Sequence, residues 1–492
     1  MTSRARPAVT GLAGVLVFLL LATANSGGYR YGVSDQAFYM PAVEQRLAPQ
    51  LFPKDAALLD AQSRLMASDE FMATVATRTG ASLPSIALAL YVVTLLVLII
   101  AAAAFGRGLG YSWWAVALLG VLLTFRHRIA RTGANSLEGY MHPRQLAFGI
   151  GIAALACVVR GRHGLALALV VLSGVIHPTT ALWFGIVVGV AAFVSQPRWR
   201  PALGALVALD AAGTLWAVTA GPLAGRLITM DALWLRVLES KDYLFPAQWP
   251  LDAWLLNLAY PVVIVVIWRL RAGRGLAGPH ERGMGMGLLA LVALFLISVP
   301  LTMQHMALAV QLQITRVFWV LDFAALAGVA WWMTQSKRAA IAALAVLGMA
   351  SAARGYYLLE VDQPERALVR VSLPETPWVD AMRWLRSQPA DWHILADPGH
   401  AWKYGSSVRV AAARDTVLES VKDSAMALYS RDVALRVDDR TRATADYDQL
   451  TTARVRALDA AYDLDAVVVD SSHTLDLPLL YRNAGFSIYD VR

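Results

Sequence analysis

Asp35 is the acidic residue whose setting invites chemistry. It lies in the run from Tyr29 to Asp55, YRYGVSDQAFYMPAVEQRLAPQLFPKD, which is polar, aromatic and acidic and directly follows the first apolar segment of a mostly apolar chain. A carboxylate at a membrane surface can act as a general base on an attacking hydroxyl. Asp55, near the end of the run, is a possible second acid, although it also suits the dipole of a helix first turn. Glu44 is a weaker candidate. Cations complement the acid. The stretch from Phe125 to Gln145 holds Arg126, Arg128, Arg131 and Arg144, and guanidinium forks match the oxygens of a phosphate or pyrophosphate. Arg316 sits within the apolar stretch 307–333. An arginine at a bilayer centre costs about 2.5–3.5 kcal/mol, so Arg316 is expected to face a polar cavity below Asp35. Gln313, three residues earlier, shares its face if the segment is helical.

The histidines are less specific. His127, His142, His177 and His305, with Asp35, offer nitrogen and oxygen ligands, but no two of them have the i, i+4 spacing of a helical metal site. No cofactor is therefore expected, with a divalent metal as the alternative. His177 precedes Pro178 and suits backbone groups at a hairpin turn as well as a substrate. Each candidate also has a plainer reading. Ser34 or Asp35 can cap a helix. The arginines can touch lipid headgroups. Trp234, Tyr243, Phe245 and Trp249, in a loop with Arg226, Asp231, Arg236, Glu239, Lys241 and Asp242, can be membrane-interface anchors or can stack on a sugar.

The elements that must position these residues are membrane helices. The chain has 492 residues, 57% of them hydrophobic and 16% charged, against about 25% charged in a soluble domain. Its mean hydropathy is +0.51. Long apolar blocks mark a polytopic α-helical membrane protein, with about eleven segments at 9–24, 83–106, 113–125, 146–159, 165–176, 179–194, 202–221, 251–268, 284–303, 307–333 and 339–354. The block 165–194 is read as a hairpin of short helices turning at His177-Pro178. A net charge of +8 comes largely from arginines flanking these segments and does not point to nucleic acid. Arg4, Arg6, Arg107, Arg160, Arg162, Arg198, Arg200, Arg269, Arg271, Arg274, Arg282, Lys337 and Arg338 all fall on one predicted side. By the positive-inside rule that side is cytoplasmic. The N-terminus is then inside, and the loop 25–82, the loop 222–250 and the chain after about residue 355 lie outside the inner (plasma) membrane. Cys157 is the single cysteine, so no intrachain disulfide forms.

Three domains are expected: a helical membrane domain over 1–354 carrying the loop 25–82, a linker over 355–375, and a soluble extracytoplasmic α/β domain over 376–492. Within the loop, Pro41 would break a helix interior, so a turn over 35–40 and a helix over 41–48 are predicted, with a second helix opened by Pro53. In the tail the pattern predicts helices over 378–386 and 446–462 and strands over 393–396, 466–470 and 486–489. Asp397, His400, Lys403, Arg409, Arg414, Asp415, Asp470 and His473 read as exposed polar residues near strand ends. There is no glycine-rich phosphate loop, zinc spacing or internal repeat.

A carboxylate just beyond a first transmembrane helix, followed by a short amphipathic helix, then many helices and a soluble tail, resembles the GT-C-type glycosyltransferases. That resemblance implies transfer of a sugar from a polyprenyl-phosphate carrier, a membrane lipid, to an extracytoplasmic glycan, lipid or protein acceptor. It makes Asp35 the catalytic base and Arg126, Arg128, Arg131, Arg144, His177, Gln313 and Arg316 the substrate-binding set. The family often has two adjacent acids at this point, and this chain has Asp35-Gln36. Two other classes fit the architecture. A transporter would show charges deep in several helices and internal repeats. A non-catalytic envelope or assembly protein would keep the layout without the acids.

Overall fold

The computed structural model describes residues 5–221 and 227–492; Arg4 and Arg226 lie outside the described residues. Helices form at all eleven expected apolar segments. Among the described residues, seven stretches are long and apolar enough to cross a membrane: Leu83–Gly108, Pro178–Ser195, Pro197–Thr219, Leu251–Gly273, Pro279–Met303, Ala307–Met333 and Lys337–Asp362. Four are shorter: Gly11–Asn25, Trp113–Thr124, Pro143–Val158 and His163–Ile176. Their starts are written locally. Ser82, Ser112 and Ser336 cap their helices by accepting from backbone N–H groups three residues on, as N-cap hydroxyls do. The His177-Pro178 hairpin is present, with Pro178 at the first helical position, where its missing N–H costs nothing.

Small residues let these helices pack closely. A side chain at Gly287 would place its Cβ 2.6 Å from the Val187 carbonyl oxygen, and one at Gly283 would lie 2.8 Å from that of Ala191. The helices Pro279–Met303 and Pro178–Ser195 therefore meet backbone to backbone, the usual device where lipid removes the hydrophobic drive between helices.

The stretch 307–333 is not one continuous helix. It runs helically over Ala307–Gln311, breaks at Gln313, which is left-handed at φ 51° and ψ 50°, tightens to a single turn over Ile314–Arg316 and resumes over Val317–Met333. The expected i, i+3 relation between Gln313 and Arg316 therefore does not hold. Broken backbone at membrane depth persists where protein or a polar cavity supplies partners. Here the partners come from elsewhere in the chain: Gln311 donates to the Leu428 carbonyl at 3.1 Å and Thr315 to that of Tyr243 at 2.9 Å.

The first loop differs too. One helix covers Gln36–Leu47 with Pro41 inside it. An interior proline costs about 3 kcal/mol. Residues Gln36 to Val43 are all buried, and a fully buried Phe, Met or Val contributes about 1.5–3 kcal/mol each. With Phe38, Met40 and Val43 all buried, packing outweighs the missing hydrogen bond.

The tail folds around a five-stranded sheet in the order Asp415–Thr416, His393–Leu395, Ala466–Asp470, Phe486–Asp490, Leu479–Arg482. The first three are parallel and the last two antiparallel to their neighbours. The tail is bonded to the first loop. Tyr29–Arg30 pairs in parallel with Val369–Arg370. Gly28 makes this possible: at φ +80° a Cβ would lie 2.6 Å from the Ala367 carbonyl oxygen, a position only glycine fills at no cost.

Candidate active site

Asp35 occupies the N-cap position of the helix Gln36–Leu47, yet its side chain makes no capping bond. Its carboxylate, about a quarter exposed at 27%, has two other partners. Oδ1 accepts from Lys422 Nζ at 2.7 Å and Oδ2 meets His142 Nε2 at 3.2 Å. Burial would push this carboxyl up. The Lys422 ammonium and the His142 bond, with the Arg144 charge behind them, outweigh burial and hold it well below the usual range. Asp35 is thus kept unprotonated at neutral pH.

The proton position on His142 follows from its bonds. Its Nδ1 accepts the Arg144 backbone N–H at 3.2 Å, capping the helix Pro143–Val158. Nε2 therefore carries the hydrogen and donates it to Asp35. Burial, reinforced by Arg144, pushes this imidazole down to about 4, so His142 is neutral and the contact is a hydrogen bond rather than an ion pair. His177 does the same for the helix Pro178–Ser195: its Nδ1 accepts from the Thr180 N–H at 3.3 Å.

These residues share one small cavity of about 60 Å³. Asp35, His142, Arg144 and His177 line it together with Gln313 and Arg316, and Tyr39, Gln62, Tyr243 and Tyr429 complete the wall. Two cations enter it in different states. Arg144 is buried and donates to Glu138 at 3.3 Å while stacking over Trp319. Among the described residues, no carboxylate lies within ion-pair distance of Arg316. Its guanidinium lies over the Tyr243 ring at 5.9 Å and its buried Nε has no hydrogen-bond partner. The amide oxygens of Gln62 and Gln313 are likewise buried without a donor, while their nitrogens bond Tyr39 and Tyr429. If either amide were turned round, its other end would be the unpaired one, so each amide has one polar end unmatched.

Other expected members lie elsewhere. Arg126 bonds the Leu137 carbonyl at 3.0 Å and faces Glu138 at 3.7 Å. Arg131 pairs with Asp242, and Arg128 is exposed. The reason is the short hairpin pairing Arg128–Ile129 with Ala134–Asn135, which turns these three away while Arg144, on the following helix, points in. Asp55 is not a second acid of the site. It is fully buried and held by Arg409 at 2.7 Å, by Arg436, and by the Thr416 N–H at 3.1 Å. Arg409 in turn grips Asp423 at 2.6 and 3.0 Å. This network joins the first loop to the tail. Gln36, where a neighbouring acid was expected, is fully buried; it accepts from the Gly32 N–H at 2.7 Å and donates to the Met141 carbonyl.

Sequence reasoning missed Lys422, Tyr429 and the role of Tyr243. The first two lie in a polar tail segment with no motif. The aromatics of the 222–250 loop are not membrane-interface anchors. Trp234, Phe245 and Trp249 are buried, and Trp234 donates to the Ala427 carbonyl at 2.7 Å, next to the turn that carries Tyr429. In the tail, Asp397, His400, Arg409, Arg414 and Asp415 are buried rather than exposed. Among the described residues no three His, Cys, Asp or Glu side chains come together as a metal-binding group. His127 is occupied with Asp322 at 3.2 Å.

No protein-family model matches the chain, and no curated protein matches it. Among solved structures it is similar to the Archaeoglobus fulgidus oligosaccharyltransferase in the apo form, at 11% identity and a TM-score of 0.45, with 93% of this chain and 69% of that one covered. It is similar also to that protein tethered by a disulfide to an acceptor peptide containing the NVT sequon, at 11% identity and a TM-score of 0.43, with the same coverage.

Proposed function

We propose that this chain is a GT-C-like glycosyltransferase that moves a sugar from a polyprenyl-phosphate carrier to an extracytoplasmic acceptor. One observation carries the reading: an unprotonated Asp35 and an Arg316 with no carboxylate partner among the described residues line the same cavity. A half-buried guanidinium beside a second arginine calls for an anion, and a planar fork suits a phosphate. The unmatched amide ends of Gln62 and Gln313 call for hydroxyl groups, which both donate and accept. A sugar phosphate has both kinds of group.

In this reading the acceptor hydroxyl is placed against Asp35, which takes its proton as the oxygen attacks the anomeric carbon. The bond from that carbon to the phosphate oxygen breaks, and its electron pair leaves with the carrier phosphate. That phosphate departs as an anion and needs cations rather than an acid. Arg316, with Arg144 beside it, supplies them. His142 fixes the carboxylate by its Nε2–H.

The test uses polyprenyl monophosphate titrated into the purified protein in detergent. Arg316→Met should weaken binding about tenfold or more, since hydrogen bonds to charged groups contribute about 1.5–3 kcal/mol. Lysine should restore it only in part. Arg128→Gln should bind as the wild type does. Equal binding by the Met variant would remove the phosphate site. The orientation has its own check. If all eleven apolar segments cross and the basic loops are cytoplasmic, Arg492 lies outside, and a reporter fused there should work only outside the cytoplasm. Cytoplasmic activity would mean an even number of crossings.

A further inference from the structure

The Asp35 carboxylate already has a cation. Lys422 Nζ lies 2.7 Å from Oδ1, and the lysine side chain is only 15% exposed. It reaches this place from the tail, in sequence 387 residues away. Its segment is fixed on three sides. Glu419 caps the helix Ser420–Met426 by accepting the Lys422 N–H at 3.0 Å. Lys241, from the 222–250 loop, donates to the Val421 carbonyl at 3.0 Å. Asp423 is clamped by the fully buried Arg409. A surface lysine that merely met an acid would have no such scaffold.

The donor set also speaks against a divalent ion. Such an ion at a general-base carboxylate needs further oxygen or imidazole ligands. The adjacent side chain, Gln36, is spent on the Gly32 N–H and the Met141 carbonyl. Both carboxylate oxygens of Asp35 already have partners, and the Nδ1 atoms of His142 and His177 are occupied as helix caps. Arg144 and Arg316 line the same cavity, so an entering dication would meet like charge on several sides.

We infer that Lys422 is the resident cation of this site, a positioning residue that orients Asp35 and occupies the place a divalent ion would otherwise take. The inference rests on the glycosyltransferase reading for its catalytic meaning, but not for its chemistry. The groups facing Asp35 are Lys422 from the tail, His142 and Arg144 from the helix Pro143–Val158, and Tyr39 from its own helix. Glu138 and Tyr140 from the preceding loop, and Lys241 and Tyr243 from the 222–250 loop, are also within electrostatic reach. Of these, Lys422 is the one whose charge touches the carboxylate.

Two measurements decide it. The first is Mn²⁺ titration of the purified full chain, followed by electron paramagnetic resonance, on the wild type and on Asp35→Asn. The two should titrate alike. Saturable binding to the wild type that Asp35→Asn abolishes overturns the inference, and this arm needs no change at position 422. The second is the pH profile of transfer. Asp35 works unprotonated, so activity falls as pH drops through its pKa. Without the ammonium, burial dominates and that pKa rises. The acid limb of Lys422→Met should therefore move to higher pH by about 1–3 units, the usual effect of one close opposite charge, and Lys422→Arg should move it back. An unmoved limb in the Met variant overturns the positioning role. If no form of the protein transfers sugar, the glycosyltransferase reading fails while the manganese result still stands.

Discussion

Asp35→Asn should lower sugar transfer by about 10²–10⁴-fold, the range a general base contributes, and should leave the protein folded and inserted. The separation of these two effects is what the structure adds. The side chain sits at an N-cap position without making a capping bond, so its removal does not unwind the helix Gln36–Leu47. Asparagine keeps the shape, and its amide oxygen still accepts from His142 or Lys422. Lys422 retains Ser34 Oγ at 3.4 Å. What disappears is basicity. The measurement is transfer of label from a polyprenyl-phosphate-linked radioactive sugar to membrane acceptors, beside a thermal melt of the same preparation. Full activity in the Asn variant ends the base assignment. Lost expression would show instead that the carboxylate is structural.

The largest stability effect should come from Arg409→Met, in the tail. Arg409 is fully buried and holds Asp55 and Asp423 at once. Removing one member of a buried ionic network costs about 3–5 kcal/mol, because the partners keep their charges without compensation. Here two carboxylates each lose a bond to a buried guanidinium in one step, Asp55 keeping only Arg436 as a cation, and the other, Asp423, helps to anchor the segment carrying Lys422. We expect a melting temperature lowered by many degrees or failure to accumulate. Arg316→Met should melt near the wild type, since it leaves no acid unpaired. An Arg409→Met protein as stable as the wild type would show that the loop and tail are held by packing alone. The pH dependence has a definite sign. Burial would raise Asp55, but Arg409 and Arg436 more than reverse this and depress it. Its contribution to stability is therefore present at neutral pH, above the unfolded carboxylate range, and is lost as pH falls through the depressed folded value.

The helical layout was legible because its signal is cumulative: a long run of apolar residues flanked by basic ones reads as a membrane helix without help from any single position. Arg316 was legible for a related reason, since a charge in an apolar stretch must find a polar setting. The argument from helical phase for Gln313 failed even though Gln313 lines the same cavity. A break at a left-handed glutamine leaves no mark in a pattern of apolar residues. Pro41 misled in the opposite direction, because local propensity said turn while the burial of its neighbours favoured helix. Three of the four loop arginines were misplaced because two-residue strands such as Arg128–Ile129 are too short to read. Lys422 and Tyr429 were invisible. Their meaning depends on a contact across nearly the whole chain, and neither belongs to a recognisable local pattern. The same holds for Asp55, which looked like a candidate acid until Arg409, 354 residues away, was found beside it.

The ion pair between Asp35 and Lys422 also imposes a timetable on synthesis. The carboxylate leaves the ribosome first, and the ammonium follows 387 residues later. At about 5–20 residues per second, the interval is roughly 20–80 seconds. Through that time the membrane part inserts with Asp35 bonded to His142 but lacking its cation, Asp55 without Arg409, and the wall of Tyr429 missing. A chain arrested before residue 422 would therefore sit in the bilayer with the Asp35 carboxylate lacking its cation, a natural substrate for a membrane quality-control protease. Completion of the tail is what closes that window.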